Sequence, residues 1–88
     1  MKVALHTAEV AIDDNQSENE ASYEGYARTE IDEAGWVNFP VVESGEGEYY
    51  THASIAEDDG VIVAVMELTP PSLGQLGAGP SFIASELA

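Results

Sequence analysis

Two β-rich segments joined by a short acidic turn constrain the fold of this chain more than any other feature. Residues 49–56 alternate, and residues 61–68 form a largely β-branched run. Between them, residues 57–60 end in Asp59-Gly60, and an Asp-Gly pair between apolar runs is the strongest short-range signal for a β-hairpin. Because residues 61–68 do not alternate, we expect that strand to be buried on both faces.

Short alternating segments separated by turn residues account for most of the remaining chain. We predict the other strands at residues 2–6, 26–31, 36–39, 72–76 and 81–85. Turns are expected at residues 32–35, 44–47 and 77–80. Thr69-Pro70-Pro71 is expected to end the strand at 61–68, since proline lacks a backbone donor. About seven short strands without a convincing helix predict an all-β chain, a single domain over residues 1–88. Its expected architecture is a small antiparallel β-sandwich or barrel, jelly-roll-like.

The segment from Glu9 to Glu24 is the longest without a clear strand signal. It holds six acidic residues and several Asn, Gln and Ser residues, and it lacks an apolar stripe. We therefore expect a solvated loop.

The charge of the chain excludes several functions. Seventeen acidic and two basic residues, Lys2 and Arg28, give a net charge of −15. Nucleic-acid and anionic-membrane binding both depend on Lys and Arg, so neither is expected. The longest apolar run, Val61–Met66, is far shorter than the ~20 residues of a membrane helix, and we expect a soluble protein without a signal peptide. Hydrophobic residues make up 44% of the chain, which indicates folding rather than disorder.

The acids are unevenly distributed along the sequence. Fifteen of the 17 precede Gly60, and only Glu67 and Glu86 follow it. The apolar C-terminal third either completes the core or covers a contact with another subunit, and the sequence leaves both interpretations open.

No residue pattern in the chain predicts catalysis, a cofactor or a metal site. Asp13-Asp14-Asn15 and Glu57-Asp58-Asp59 lack the ligand spacing of a helix–loop–helix calcium site. His6 and His52 could meet across two strands as a metal pair, although exposed or hydrogen-bonded histidines are the commoner case. Neither a Gly-x-Ser-x-Gly elbow nor a phosphate-binding glycine loop is present. We expect no enzyme, and we expect Arg28 to pair with a carboxylate inside the chain or across a subunit contact.

An ordered series of short motifs resembles a family of small bacteriophage virion proteins, described as head-decoration or tail-fibre-like proteins. Its most specific part is the tyrosine and arginine block from Ala21 to Arg28. The other matching motifs, in chain order, are Ala4-Leu5-His6-Thr7-Ala8, Asn19-Glu20, Trp36, Phe39-Pro40, Thr51-His52, the apolar strand at 61–68, Thr69-Pro70 and Pro80-Ser81-Phe82. The chain is more acidic than this resemblance would suggest, and shorter between Trp36 and Thr51.

The resemblance implies an all-β structural subunit of a phage particle, without catalysis or cofactor. The leading hypothesis is a capsid decoration, or cement, protein, made in the host cytoplasm and located on the outer surface of the phage head. It would bind the major capsid protein as a homo-oligomer, expected to be a trimer. The alternatives are a tail or tail-fibre component and an acidic DNA-mimic inhibitor. The residues expected at subunit or capsid contacts are Tyr23, Tyr26, Arg28, Trp36, Pro70, Leu73, Leu76, Phe82 and Ile83.

Overall fold

The computed structural model describes residues 1–43, 49–73, 75 and 77–83. Within these ranges the chain forms β-strands and no helix. The strands are β1 (Lys2–His6), β2 (Trp36–Asn38), β3 (Tyr49–Ala56), β4 (Ile62–Leu73) and β5 (Ser81–Ile83). In the described part of the chain, no helix is long and apolar enough to cross a membrane.

The strands form two antiparallel sheets. One sheet has the order β1-β3-β4, and the other pairs β2 with β5. The all-β antiparallel fold class predicted from the sequence is confirmed. The described residues form five strands rather than about seven, because two predicted segments pair differently from expectation.

The β3–β4 hairpin is confirmed at the predicted turn. The Gly60 N–H donates to the Glu57 carbonyl at 3.0 Å. Gly60 has φ of +80°, a left-handed conformation that glycine adopts without the steric cost of a side chain. The turn predicted at 32–35 is also present: the Gly35 N–H donates to the Asp32 carbonyl at 3.0 Å, immediately before β2. The turn predicted at 44–47 lies outside the described residues.

β4 continues through Pro70 and Pro71, so the prediction that these prolines end the strand was wrong. Tyr50 lies opposite Ser72 and His52 lies opposite Glu67, and the register therefore shifts between these two pairs. Four β4 residues, 68–71, fill the interval that one β3 residue occupies. This irregularity accommodates the prolines because residues outside the regular ladder need not donate a hydrogen bond. The separate strand predicted at 72–76 is instead the end of β4, and residues 74 and 76 lie outside the described residues.

The acidic segment between β1 and β2 is anchored to the first sheet rather than being a freely solvated loop. We call residues 7–29 the acidic strap. On the outer edge of β1, Thr29 of the strap pairs with Val3. At the opposite side of the sheet, Asn15 of the strap pairs with Val61, the residue before β4. The predicted strand at 26–31 is absent as a strand, and only the Thr29 bridge forms there.

The core lies between the two sheets and the strap. Its aromatic rings form a connected series: Tyr23 meets Tyr26 edge-on at 5.4 Å, Tyr26 stacks on Phe39 at 6.1 Å, and Phe39 contacts Phe82 at 6.0 Å between centroids. Aliphatic side chains of the first sheet pack against this series. The buried residues of the core are Val3, Leu5, Ala21, Tyr23, Val37, Phe39, Val42, Tyr50, Ala53, Ile55 and Leu68.

β4 is not buried on both faces along its length, in contrast to the sequence prediction. Ile62 and Leu68 are buried, but 46% of the Val63 surface is exposed, and residues 64–66 are only partly covered. The reason is position: β4 is the outer strand of its sheet, and the strap reaches only its beginning.

Candidate interaction surfaces

Three of the predicted contact residues lie against the core. Tyr23 is buried, and its hydroxyl donates to the Pro40 carbonyl at 2.6 Å. Tyr26 and Phe82 are partly buried and pack on the core through the ring contacts described above. These aromatic side chains serve the packing of the chain itself.

Arg28, a fourth predicted contact residue, forms an ion pair within the chain. Its Nε and Nη2 donate to the two carboxylate oxygens of Glu20 at 2.7 and 3.0 Å. Tyr26 Oη donates to Glu20 Oε2 at 2.7 Å and accepts the Leu5 N–H at 3.2 Å. The sequence left open whether the Arg28 partner would be internal, and the geometry identifies it as Glu20.

The Glu20 cluster (Glu20, Tyr26 and Arg28) holds each member in one protonation state. Burial alone would raise the Glu20 pKa, but hydrogen bonds from Arg28 and Tyr26 outweigh it and lower that pKa. Burial and the hydrogen bond to Glu20 raise the Tyr26 pKa, and the Glu20 bond also raises the Arg28 pKa. The carboxylate is therefore ionised and both partners remain donors at neutral pH.

Two other predicted contact residues, Trp36 and Ile83, point outward together. They lie directly opposite each other in the β2–β5 ladder, with 41% and 48% of their surfaces exposed. Val37, next in β2, is fully buried in the core. We call the exposed cross-strand pair the Trp36–Ile83 patch. Neither β2 nor β5 contains a charged residue, although the chain carries a net charge of −15.

The turn before β2 holds Trp36 in place. Asp32 Oδ1 accepts the Trp36 N–H at 2.9 Å, and the Asp32 N–H donates to the Trp36 carbonyl at 2.9 Å. The same oxygen also accepts the Ala34 N–H. Because these bonds fix the backbone at the start of β2, the indole is presented from a defined position.

A second exposed pair lies beyond the β4 irregularity. Leu73, also a predicted contact residue, is opposite Tyr49 at the end of the β3–β4 ladder, and both side chains are exposed. Tyr49 was not among the contact residues predicted from the sequence. The remaining two predictions, the Pro70 side chain and Leu76, lie outside the described residues.

Both basic residues are engaged with carboxylates of the same chain. Lys2 Nζ lies 3.7 Å from Glu30, in an exposed pair, and Arg28 binds Glu20. Among the described acidic residues, only Glu67 lies in a strand. The others lie in the strap, in turns and in connecting segments, and all of them except Glu20 are exposed. The excess negative charge thus surrounds the sheets rather than lying along them.

A buried polar network on the other face of the first sheet attaches the strap. His6, Ser54 and Gln16 are fully buried. His6 Nδ1 lies 2.8 Å from the Glu18 carbonyl, which can only accept, so Nδ1 carries the proton. His6 Nε2 then accepts from the Ser54 hydroxyl at 2.7 Å. Both His6 and Ser54 are closed to solvent, so this hydrogen bond lies inside the protein.

Gln16 joins the same network from the strap. Its amide nitrogen lies 3.0 Å from the Lys2 carbonyl and 3.2 Å from both the carbonyl and the hydroxyl oxygen of Ser54. The Gln16 amide oxygen is buried and has no hydrogen-bond partner among the described residues. The amide orientation is therefore set by the two backbone acceptors, which demand a donor.

His6 and His52 do meet across β1 and β3, as the sequence suggested they could. Both ring nitrogens of His6 are occupied by the hydrogen bonds just described, and His52 Nδ1 lies 2.8 Å from the Thr51 hydroxyl. No group of three His, Asp or Glu side chains within the described ranges is arranged to hold a metal ion.

We expect stability to fall in mild acid because His6 is buried in its neutral form. Burial lowers the His6 pKa below its ordinary value of about 6.5. A group with a lowered pKa in the folded state contributes its full stability above the unfolded pKa and loses it as pH falls. The free energy of unfolding should therefore decrease below pH ~6.5, by up to about 1.4 kcal/mol per pH unit for one proton. Urea unfolding at several pH values measures this slope.

The His52→Gln variant is the control for that titration, since it removes the histidine opposite His6 and leaves the buried ring in place. It should retain most of the slope between pH 6.5 and 5, because burial is the largest cause of the lowered His6 pKa and the charge of His52 is a smaller one. Equal stability at pH 7.5 and pH 5 would contradict the assignment of the buried neutral ring.

No protein-family model, curated protein or solved structure matches the chain. Its function is therefore inferred from its own residues and their geometry.

Proposed function

We propose that this chain is a structural subunit of a bacteriophage particle, and specifically a capsid decoration protein. It binds the outside of the head shell and stabilises contacts between major capsid subunits. The phage assignment follows from the motif resemblance given above. The observation that supports a binding role is the Trp36–Ile83 patch, an outward-facing apolar pair on two uncharged strands of a chain with net charge −15.

The patch has the properties of a protein contact. Tryptophan is enriched among the residues that dominate binding energy at interfaces, because its large surface becomes fully desolvated there. Trp36 is held by the Asp32 turn, so binding does not require the loop to be ordered first. The absence of charge from β2 and β5 removes the desolvation cost that a carboxylate at this position would impose.

The distribution of acids supports an orientation with the patch towards the shell. Exposed carboxylates lie in the strap and in the turn at 57–60, where they would face solvent and limit sticking between particles. Asp32 and Glu33, in the turn bonded to Trp36, are exposed at the margin of the patch. Both basic side chains are already in intrachain pairs, so no Lys or Arg side chain is left over to attract the acids of a second particle. Assembly as a trimer on the shell is part of the proposal.

The acid positions favour decoration over DNA mimicry. A mimic needs carboxylates in rows on rigid elements, whereas Glu67 is the only acid in a strand of the described chain. A tail location has no observation of its own in its favour. A reconstruction of the particle would distinguish head from tail directly.

Substitution of Trp36 by alanine tests the proposal. Added to undecorated shells of its own phage, the wild-type protein should bind and raise the temperature at which the shells disrupt. Trp36→Ala should weaken binding at least tenfold, about 1.4 kcal/mol or more. Because more than half of the Trp36 surface is covered, the variant should also be less stable, so binding is measured at a temperature at which circular dichroism shows the variant to be folded.

The matched control is Ile12→Ala, which removes an exposed apolar side chain from the strap. It should bind shells like the wild type. If the wild-type protein does not bind its own shells, or if both variants bind equally well, the proposed role of the Trp36–Ile83 patch is wrong.

A further inference from the structure

The outer edge of β4 has backbone groups with no partner among the described residues. Val3 exchanges two hydrogen bonds with Thr29 on the outer side of β1, at 2.8 and 3.0 Å. In antiparallel ladders the bonding direction alternates along each strand. Val3 bonds outward, so its partner Ile55 bonds towards β4, and the neighbouring β3 residues Ser54 and His52 bond towards β1. Val65 and Glu67 lie opposite Ser54 and His52. Their N–H and C=O groups therefore point away from β3.

The open edge is bounded at both ends. At its start, the Ile62 N–H donates to the Asp14 carbonyl at 2.8 Å and the Asp13 N–H donates to the Ile62 carbonyl at 2.9 Å. At its end, the irregular stretch 68–71 brings two prolines into the strand. Covering segments, bulges and prolines are the usual protection of strand edges. Here they leave a window over residues 63–67, about 17 Å long at the rise of a β-strand.

The window is mostly apolar. Val63 is 46% exposed, and residues 64–66 are partly exposed. An added strand would therefore find both unpaired backbone groups and apolar side chains that gain from burial. This surface is distinct from the Trp36–Ile83 patch, which lies on the other sheet.

Carboxylates stand at both ends of the window. Asp13 and Asp14 are exposed beside its start, and Glu67 is exposed at its end. Lys2 and Arg28 are already paired with Glu30 and Glu20. A second copy of this chain would bring another −15 charges against an acidic surface, whereas a strand carrying Lys or Arg would be attracted to it.

We propose that the β4 edge over residues 63–67 binds an extended segment of another protein by strand addition, and that this segment has an apolar centre flanked by basic residues. The hydrogen bonds of Val65 and Glu67 align the added strand. The carboxylates at the two ends select the basic residues of the segment. The interaction is independent of whether the chain decorates a phage shell.

A synthetic peptide of seven residues, with three Val at its centre and two Lys at each end, is the probe. Titrated into the isotopically labelled full chain, it should shift the amide resonances of residues 63–67 in NMR spectra. A peptide of the same sequence with N-methyl groups at alternate residues keeps the charge but cannot donate along one edge. It should bind at least tenfold more weakly if strand addition is the mode of binding.

Two variants of the chain locate the site. Val65→Pro removes a backbone N–H that points away from β3, so the hydrogen bonds between β3 and β4 are unaffected. This variant should bind the peptide at least tenfold more weakly. Glu67→Lys keeps the backbone and should weaken binding of the Lys peptide while permitting a Glu-containing analogue. Circular dichroism checks folding of both, and the N-methylated peptide tests the wild-type chain if Val65→Pro does not fold.

Three results would overturn the proposal. The first is equal binding of the unmodified and N-methylated peptides, which would indicate charge attraction alone. The second is a titration in which the amide resonances that shift belong to residues outside 63–67. The third is a wild-type chain that dimerises through this edge, since the site would then be occupied by a second copy.

Discussion

Replacing Tyr26 by alanine should remove a large part of the free energy of unfolding of this protein. Its ring joins Tyr23 to Phe39 in the core, and its hydroxyl bonds both Glu20 and the Leu5 N–H. Deleting a large aromatic side chain from a core costs about 3–5 kcal/mol, and the loss of its hydrogen bonds adds to this. Domains of this kind have total stabilities of only about 5–15 kcal/mol. Urea unfolding followed by tryptophan fluorescence measures the loss.

Tyr26→Phe separates the ring from the hydroxyl. It should cost about 1–3 kcal/mol, because Glu20 loses one donor and the Leu5 N–H loses its acceptor while the packing remains. Equal stabilities for Tyr26→Ala and Tyr26→Phe would show that the ring contributes nothing to the core, contrary to the packing described.

Gly79→Ala should be the second strongly destabilising substitution. A Cβ on Gly79 would collide with the backbone oxygen of Phe39 and lie 3.3 Å from that of Pro40. A backbone oxygen cannot relieve the clash by changing rotamer, as a flexible side chain could. The chain segments that carry Phe39 and Gly79, next to β2 and β5, would therefore have to move apart. We expect a loss of about 3 kcal/mol, measured by thermal and urea unfolding, together with altered amide resonances in β2 and β5.

Gly35→Ala is the matched control in the turn before β2. An added Cβ there meets no atom within 4 Å, but the backbone has φ of +87°. Its cost should be limited to the strain of a left-handed residue, about 1–2 kcal/mol. A Gly79→Ala variant no less stable than Gly35→Ala would contradict the close backbone approach.

The elements that were predicted correctly from the sequence are those determined by residues close together in the chain. The Asp59-Gly60 signal places the β3–β4 turn, and the Asp32–Gly35 turn precedes β2 as expected. Alternation in β2 also separates the exposed Trp36 from the buried Val37. In each case the turn residues or the period-two pattern are sufficient, because the determining contacts lie within a few positions.

The elements that the sequence did not predict depend on distant partners. The prolines of β4 fit because β3 contributes only one residue opposite the irregular stretch, which no local pattern reveals. Residues 9–24 were expected to form a solvated loop because they hold six acids and lack an apolar stripe. Gln16 nevertheless anchors this segment to the Lys2 carbonyl in β1 and the Ser54 carbonyl in β3. Likewise, composition could not distinguish the inward-packed Tyr26 from the outward Trp36.

The pairing order of the strands has a consequence for the kinetics of folding. β1 pairs with β3 and β2 pairs with β5, so both ladders close long stretches of intervening chain, and only the β3–β4 hairpin is local. Loop closure must precede those distant contacts, and topologies dominated by them fold in milliseconds to seconds. During synthesis, β1 leaves the ribosome well before its partner, so its apolar residues remain uncovered until β3 emerges. The repulsion among the surrounding carboxylates would keep neighbouring nascent chains apart during that interval.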